Sequence, residues 1–531
     1  MTDPNLYLRP NIQLEPLVDQ WYAWSHLISP ATAARNITER HMKLMDSYIS
    51  APMIHASAVQ NPKMLGGPFI DYAGKCVKEI RALRERTVRD RSDMFELSAA
   101  LGELDNSLRM EARGYSLHSL YDKIPALLQG YVELVYDTNN HPSFRLFEPL
   151  LYRSRFYDRS AQSLMLSEIT GDDRPFVLST PRLETDQCLH LHVAFDDDRV
   201  DQLFRLKTAS STWSDIQGLF DLDERQTELF RSFFTENAPA PYQPYQGPGL
   251  RWRYFGHACI LVETQGTTLM FDPMLSYTYE NTVSRYTYAD LPDVIDYVVI
   301  THNHQDHILF ETLLQLRHRI KHIVVPRDGG GSLQDPSLKL MLKNCGFHNV
   351  IELRELDEIR VGRGRLVGVP FLGEHGDLNV ASKMAYLVTT SSQQQLLFVA
   401  DSCNIEPRLY ELLHEQFGDV PVLFLGMECD GAPMSWLYGP LLTQKIERGV
   451  DDSRRLSGSN CEQGWKIVTA LGCREVYVYA MGQEPWLKYM TSIKYTPESR
   501  PIVESTRLIE NCCAHGIVAE RLFGEKEICL E

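Results

Sequence analysis

The sequence predicts a two-domain α/β protein, in which a mainly helical α+β domain over residues 1–240 precedes an α/β domain over residues 250–531. The chain has 531 residues, which is more than a single hydrophobic core usually serves. A segment rich in proline and glycine interrupts it at residues 238–249. At that point the pattern changes from long helical periodicity to short apolar strands separated by polar turns.

Composition and charge limit the functions that the chain can have. It is 44% hydrophobic and 23% charged, which is typical of a globular protein. The net charge of −17 argues against nucleic acid as the main partner, because phosphate binding needs clustered Lys and Arg. The eleven cysteines form no C-x-x-C pair and indicate reduced thiols. We find neither a signal peptide nor a membrane-spanning apolar run, and therefore expect a cytoplasmic protein.

Residues 1–240 carry no motif that indicates chemistry. From about residue 71 to residue 134, apolar side chains recur every three or four positions, which predicts a long helical stretch. The arginines of Arg81–Arg91 are interpreted as the solvated face of that helix. Cys188–Phe195 alternates strictly between apolar and polar residues and predicts a half-buried strand. Its His-x-His pair is assigned to that strand, because no acidic or sulfur ligand adjoins it.

The segment Ala238–Gly249 is the predicted linker, since four prolines and two glycines in twelve positions cannot sustain a helix or a central strand. Two strands of a hairpin are expected directly after it, at Leu250–Glu263 and Gly266–Pro273. His257 falls within the first of these strands and is interpreted as structural. The second strand ends at Asp272.

The central motif lies in Asp296–Phe310, DYVVITHNHQDHILF. An apolar, β-branched run predicts a buried strand, and His302, His304, Asp306 and His307 follow it within six positions. Three imidazoles and one carboxylate this close together are hard to explain as packing. In an extended chain His302 and His304 point the same way and can reach one metal, whereas Asp306 and His307 follow a turn and can reach a second. Loops directly after buried strands are where α/β folds place chemistry.

Two later strand ends offer further metal ligands. Gly368–Val380 contains the adjacent residues Glu374 and His375, and we expect only one of them to point inward. In the segment Leu396–Asn404, a continuous apolar strand ends in Asp401. A buried carboxylate without a cation is costly, so Asp401 suits a position that bridges two metals. After Asp401 the chain offers no further histidine in a suitable place.

The H-x-H-x-D-H arrangement at a strand end resembles the metallo-β-lactamase superfamily. This resemblance implies an αββα sandwich with metals along the strand ends, and the alternation of strands and helices after residue 250 agrees with it. It also implies that Asp272 supports the histidine loop from behind, since a metal-bound histidine usually needs its other ring N–H held by an acceptor.

The two-domain layout, with the segments THNHQDH, GEHGDLN, VADSCN and GMECDGAP, more closely resembles the diiron β-hydroxylase of chloramphenicol biosynthesis and its relatives. A carboxylate-rich ligand set of this kind suits iron. The resemblance implies that the ligands are His302, His304 and Glu374 for one iron, Asp306 and His307 for the other, and Asp401 between them. It places Glu428 near Glu374 as a supporting acid.

The same resemblance implies O2-dependent β-hydroxylation of an amino acid that is held as a thioester on a nonribosomal peptide synthetase thiolation domain. No flavin or NAD fingerprint appears, so electrons are expected from a separate reductase or ferredoxin. The N-terminal domain is expected to serve carrier docking and self-association, as in a homodimer. The competing hypothesis is a dizinc hydrolase, a lactonase or thioesterase, in which His375 replaces Glu374 as the ligand.

Overall fold

A computed structural model describes residues 4–531, and its C-terminal part is built on two seven-stranded sheets packed face to face. In spatial order, sheet I contains Val350–Leu353, Ile320–Pro326, Ile295–Val299, Thr267–Phe271, Ile260–Thr264, Leu250–Tyr254 and Lys526–Leu530. Sheet II contains Glu358–Val361, Gly364–Val369, Ala385–Thr389, Gln395–Phe398, Val422–Gly426, Glu475–Tyr479 and Val518–Arg521. The expected αββα sandwich is confirmed.

Aromatic side chains fill the space between the two sheets. Phe271 of sheet I stacks on Phe398 of sheet II with ring centroids 3.9 Å apart, and Phe398 stacks on Phe424 at 4.7 Å. All three side chains are fully buried. They face inward because side chains alternate across a strand, and burying each one stabilises the fold by about 1.5–3 kcal/mol. This rigid core fixes the strand ends from which the site is built.

Helices cover the outer face of each sheet. Those behind sheet II are Arg408–Phe417, Cys461–Ala470 and Arg500–Ala514. Those behind sheet I are Phe310–Leu316 and Leu338–Asn344, joined there by the N-terminal part of the chain. Shorter elements lie near the strand ends, namely the helices Ser435–Tyr438, Arg448–Ser453 and Lys488–Thr491 and the paired strands Ala432–Pro433 and Arg455–Leu456.

The predicted strand Leu250–Glu263 is wrong in one respect, because the structure divides it into two antiparallel strands. The chain turns at Gly256 and His257, whose φ angles are +110° and +50°. Glycine adopts such angles at little cost, but histidine does so only under constraint. His257 consequently lies in a loop at the end of the sheet and not within a strand.

The N-terminal part is α+β, as predicted. Its helices are Ser25–Ile28, Pro30–Asn36, Met42–Ser50, Pro52–Val59, Val77–Asp90, Ser92–Glu111, Glu148–Leu151, Asp198–Arg205, Trp213–Gln217 and Glu224–Ser232, with a π-helical turn at Ile37–His41. Its strands form two sheets and a hairpin. The four-stranded sheet contains Trp21–Tyr22, Ile12–Val18, Gln162–Glu168 and Cys188–Leu191, and the three-stranded sheet contains Ser211–Thr212, Asn5–Leu8 and Phe234–Thr235. The hairpin pairs Val132–Tyr136 with Pro142–Leu146.

Sequence periodicity located the N-terminal helices but overextended them. The stretch predicted from residue 71 to residue 134 is two helices that end at Glu111, followed by 3-10 turns and the strand Val132–Tyr136. Ile80 and Leu83 are buried in the first helix, and Arg81, Arg86 and Arg89 face solvent as predicted. The prediction is wrong for Arg91, which follows the helix, is buried and forms an ion pair with Asp19. No helix among residues 4–531 is both long and apolar enough to cross a membrane.

The N-terminal part shares a continuous core with the sandwich. At its centre, Arg174 bridges Glu15 of the N-terminal sheet and Glu311 of a sandwich helix, at 2.7 and 2.8 Å. Tyr22 donates a hydrogen bond to Glu311 as well, at 2.7 Å. Residues 236–249 contain neither helix nor strand, in agreement with a linker. The division into domains at 1–240 and 250–531 stays a proposal, because the two parts pack as one body.

Candidate metal centre

The histidine loop begins where the buried strand Ile295–Val299 ends. This strand runs parallel to Thr267–Phe271 with Val299 opposite Phe271, so Asp272 and Thr301 emerge side by side at the same edge of sheet I. Thr301 donates two hydrogen bonds to Asp272, from its backbone N–H at 2.7 Å and from its hydroxyl at 2.6 Å. These two hydrogen bonds fix the start of the histidine loop relative to the strand that precedes Asp272.

Asp272 and Thr301 orient two of the histidines. His307 Nδ1 lies 2.7 Å from the Asp272 carboxylate, and His302 Nδ1 lies 3.0 Å from the Thr301 hydroxyl. Each imidazole therefore donates its Nδ1–H backward and turns Nε2 forward, which is how metal-bound histidines are usually held. The structure thus shows Asp272 supporting the loop from behind, as the resemblance implied.

His302, His304 and Glu374 form one candidate ligand group, whose donor atoms lie within 4.8 Å of one another. His304 Nδ1 is 2.7 Å from Glu374 Oε1, and His302 Nε2 is 3.8 Å from Glu374 Oε2. Burial acts to raise the pKa of Glu374, but the His304 and His375 rings outweigh it and lower that pKa to about 2. Glu374 is therefore an ionised carboxylate aimed at two imidazoles.

The expectation that only one of Glu374 and His375 points inward is wrong, because both side chains are buried. Glu374 has φ +67°, and this left-handed backbone turns both side chains toward the cluster. His375 stacks on His304 with centroids 4.5 Å apart, and its Nδ1 lies 2.9 Å from Glu374 Oε2. Of the two residues, only Glu374 belongs to a candidate ligand group within residues 4–531.

Asp401 lies between the two halves of the cluster. Its Oδ2 is 3.2 Å from His307 Nε2 and 3.9 Å from His302 Nε2. Burial raises the pKa of Asp401, so its ionised form needs a cation nearby. This position agrees with a carboxylate that bridges two metals.

Asp306 and His307 form the other half, together with a residue that sequence reasoning assigned to a strand. His257 Nε2 lies 3.4 Å from Asp306 Oδ2, and the His257 and His307 ring centroids are 4.9 Å apart. The three side chains form a second candidate ligand group. The Gly256-His257 dipeptide was the available signal, since a glycine inside an apparent strand indicates a bend or close backbone approach.

Tyr438 is a second residue that sequence reasoning missed. Its hydroxyl oxygen lies 3.2 Å from His304 Nε2, on the side of the ring opposite Glu374. When Nδ1 of His304 binds a metal, Nε2 carries the proton and can donate it to the Tyr438 oxygen. Burial raises the pKa of Tyr438 well above its ordinary value, so the phenol stays neutral. Nothing in the local sequence links two residues so far apart in the chain.

The helix that carries Tyr438 is fastened by the N-terminal part of the chain. Arg40 donates hydrogen bonds to the carbonyls of Trp436 and Leu437, at 2.7 and 3.1 Å. Arg35 donates to the carbonyls of Pro440 and Leu442, both at 3.1 Å. The N-terminal part therefore contributes to the position of Tyr438.

The cluster opens into a cavity of about 590 Å³. Glu374, Asp401 and Glu428 line it, together with Pro62, Lys63, Leu65 and Gly66 from the N-terminal part. Glu428 Oε1 accepts the backbone N–H groups of Asp430 and Gly431 at 3.2 and 2.9 Å, whereas Oε2 is buried without a partner. Burial raises the pKa of Glu428 to about 7. The predicted supporting acid thus shares the cavity with Glu374.

Comparisons with known proteins bear on both parts of the chain. Residues 7–239 match the model of the diiron non-heme beta-hydroxylase N-terminal domain, and residues 267–436 match that of a beta-lactamase superfamily domain. Over 532 aligned residues the chain is 40% identical to the 4-amino-L-phenylalanyl-[CmlP-peptidyl-carrier-protein] 3-hydroxylase of Streptomyces venezuelae, covering 98% of this chain and 99% of that protein. The chain belongs to the diiron non-heme β-hydroxylase family.

Solved structures of this family agree. The crystal structure of CmlA, a diiron beta-hydroxylase from Streptomyces venezuelae, superposes with a TM-score of 0.93 at 39% identity and covers the whole of both chains. A single-substitution variant of CmlA gives a TM-score of 0.91 at 38% identity, covering 99% of this chain and 100% of that one. The predicted family and its non-heme diiron cofactor are thus confirmed.

The residues present fit a pair of iron ions. Buried atoms of three proposed ligands have no hydrogen-bond partner, namely His302 Nε2, Asp401 Oδ1 and, apart from its 2.9 Å contact with His375 Nδ1, Glu374 Oε2. Leaving such atoms unpaired is costly, and metal coordination removes that cost. A mixed set of imidazoles and carboxylates also suits iron. The division of the ligands between the two irons stays a prediction.

Proposed function

We propose that this enzyme hydroxylates the β-carbon of an amino acid held as a thioester on the thiolation domain of a nonribosomal peptide synthetase, with O2 as co-substrate. The observation that carries the proposal is a buried, carboxylate-rich metal cluster that opens into one substrate-sized cavity. The relative from Streptomyces venezuelae is named for the same kind of reaction on a carrier protein.

The proposed ligands follow the geometry of the two halves. His302, His304 and Glu374 would hold one iron and Asp306 and His307 the other, with Asp401 as a ligand between the two groups. When bound, the iron pair supplies the two-electron activation of O2 that replaces a C–H hydrogen with hydroxyl. The task of the protein is to place the correct C–H bond against this centre and to exclude water from it.

The cavity performs that placement. Its volume of about 590 Å³ lies within the range of small-molecule sites. Leu65, Leu456 and Ile493 give it apolar walls that hold an amino-acid side chain and exclude water. Glu428 lines this space, and a carboxyl with a pKa of about 7 can hold or release a proton there at neutral pH. We assign Glu428 that role and Glu374 the role of ligand.

The cavity mouth suits the arm of a carrier domain. Lys63, Lys494 and Arg500 line the cavity with their side chains exposed, although the chain as a whole has a net charge of −17. A phosphopantetheine arm has one phosphodiester between the carrier domain and the thioester. Cations at the mouth stabilise that phosphate while the aminoacyl end reaches the metals.

Two further parts of the proposal concern protein partners. Electrons come from a separate reductase or ferredoxin, since two are needed in each turnover. Self-association involves the N-terminal part, where Met53 and Ile54 are 69% and 65% exposed on the helix Pro52–Val59. Large apolar side chains exposed next to each other are typical of contact surfaces.

The decisive experiment supplies the iron-loaded enzyme with an aminoacylated thiolation domain, a chemical reductant and O2. We expect the carrier-bound amino acid to gain one oxygen atom by mass spectrometry, with the hydroxyl at the β-carbon. An anaerobic reaction is the control and gives no product. Release of the free amino acid without oxygen incorporation would instead support the dizinc hydrolase.

A second experiment tests the cavity mouth. In the Lys494→Glu and Arg500→Glu variants we expect the KM for the carrier-bound substrate to rise about tenfold, because an attraction between opposite charges becomes a repulsion. A pantetheine thioester that lacks the phosphate should be hydroxylated equally well by the variants and the parent enzyme. An unchanged KM for the carrier-bound substrate would remove the phosphate from the proposal.

A further inference from the structure

We propose that His257 is an additional ligand of the iron held by Asp306 and His307. The inference rests on the diiron centre of the proposed function and extends it, because neither the sequence motif nor the family resemblance assigned a role to this residue. Three independent observations support it: the position of the imidazole, its available ring nitrogens, and the strand to which its loop is fastened.

The imidazole of His257 lies beside the two proposed ligands Asp306 and His307. His257 Nε2 is 3.4 Å from Asp306 Oδ2, and its donor atom lies within 4.8 Å of those of Asp306 and His307. The side chain is 3% exposed. A buried imidazole beside one carboxylate and one imidazole matches the donor types that hold the other iron.

Both ring nitrogens of His257 are buried, and the only polar contact of either among residues 4–531 is the long one of 3.4 Å between Nε2 and Asp306 Oδ2. A neutral imidazole normally uses one nitrogen as a donor and the other as an acceptor. His302 and His307 each have one nitrogen held from behind, whereas His257 has both available. One of these nitrogens can therefore bind a metal without breaking any existing hydrogen bond.

The loop that carries His257 is fastened to the end of the strand Glu475–Tyr479. The backbone N–H of Ala480 donates to the His257 carbonyl at 2.8 Å, directly after the strand Glu475–Tyr479. Tyr254, which precedes the loop, donates a hydrogen bond to the buried Glu484. No histidine directly follows this strand. His257 reaches the end of this strand from the beginning of the domain.

The backbone of the loop is constrained into that position. His257 has φ +50°, which a residue with a side chain adopts only when its surroundings enforce it. At Gly256 a Cβ atom would lie 2.9 Å from the Trp486 ring, so only glycine fits there. Strain at a buried polar residue beside a metal centre is typical of functional sites. Packing alone would be satisfied by a relaxed turn and an apolar side chain.

The test measures iron and not activity alone. In the His257→Ala variant we expect about one iron per chain to become extractable by a chelator at a concentration that leaves both irons in the parent enzyme. Added imidazole should restore retention, because it can enter the space left by the side chain. The matched control is His190→Ala, which removes another buried histidine with an unpartnered nitrogen but lies in the N-terminal sheet.

Two further measurements separate ligation from support of Asp306. His257→Asn retains an amide that can donate to Asp306 but removes the imidazole, so ligation predicts the same iron loss as in His257→Ala. X-ray absorption of the iron-loaded parent enzyme should require four imidazoles for each pair of irons, whereas three would be counted without His257. Two tightly held irons in His257→Ala and three imidazoles in the parent would each overturn the inference, even if hydroxylation itself is established.

Discussion

The histidines of the central motif are supported from two different parts of the molecule. His302 and His307 donate their Nδ1–H groups to Thr301 and Asp272, which lie at neighbouring strand ends of sheet I. His304 is turned the other way, with Nε2 3.2 Å from the hydroxyl of Tyr438, and Arg40 of the N-terminal part holds the helix that carries Tyr438. The support of His302 and His307 is thus contained in the sandwich, whereas the support of His304 also involves the N-terminal part.

This difference shows how a sandwich typical of hydrolases is adapted here. The support within the sandwich holds His302 and His307. The support from outside the sandwich holds His304, whose Nδ1 lies 2.7 Å from the Glu374 carboxylate. The N-terminal part, which carries no chemical motif of its own, therefore bears on the geometry of the half that contains Glu374. Substitutions in the two supports should separate these contributions.

The largest effect is expected from removing the carboxylate itself. Glu374→Ala deletes a proposed ligand, so hydroxylation of a carrier-bound amino acid should fall by more than about 100-fold, beyond the 10–100-fold typical of residues that only support a ligand. Metal analysis should show about one iron fewer per chain. Glu374→His replaces the carboxylate with an imidazole, and this variant should also lose oxygenase activity. Full activity in either variant would remove Glu374 from the ligand set.

The next largest effect is expected from the support within the sandwich. Asp272→Asn keeps the size of the side chain but replaces the carboxylate that His307 and Thr301 both contact. We expect a loss of iron affinity of about 10–100-fold, measured by competition with a chelator. The iron held with His307 should be released first. Equal release of both irons would show that Asp272 serves the centre as a whole.

A smaller effect is expected from the support outside the sandwich. Tyr438→Phe removes one oxygen atom and leaves the ring, so His304 loses its acceptor while packing is preserved. We expect about a tenfold loss of affinity for the iron held with Glu374, at the lower end of the range for such contacts. The control is Tyr410→Phe, since Tyr410 is equally buried but belongs to the core behind sheet II.

The link to the N-terminal part can be measured in the same series. Arg40→Met keeps an unbranched apolar side chain but removes the hydrogen bonds to Trp436 and Leu437. If Arg40 acts through Tyr438, the double variant with Tyr438→Phe should release iron no faster than Tyr438→Phe alone. Additive losses would mean that Arg40 supports the fold independently of His304.

The sequence predicted the site wherever its residues follow one another closely. His302 to His307 occupy six positions after a recognisable buried strand, and Asp401 ends another, so local pattern was sufficient. His257 and Tyr438 reach the cluster only through tertiary contacts, from separate loops and helices. Local patterns do not report such contacts. The turn at His257 was also hidden, because the residues on both sides of it form strands that read as one.

The same reasoning explains how the fold was predicted. The resemblance of the H-x-H-x-D-H motif to metallo-β-lactamases implied the sandwich, and the short apolar strands that alternate with helices agreed with it. The N-terminal helices were overextended past Glu111, because spacing of apolar residues does not mark where a helix gives way to 3-10 turns. The shared core of the two parts was not foreseen, since Arg174 lies 137 residues from its partner Glu311.

The smallest effect is expected from His375, the neighbour of Glu374. His375 is buried and stacks on His304, but it belongs to no candidate ligand group among residues 4–531. His375→Ala should therefore keep both irons and lose less than about tenfold in hydroxylation, because it removes packing and a contact with Glu374 rather than a ligand. The hydrolase hypothesis requires the opposite order, with His375→Ala more damaging than Glu374→Ala. Iron content and product yield of this pair of variants thus decide which of two adjacent side chains binds metal.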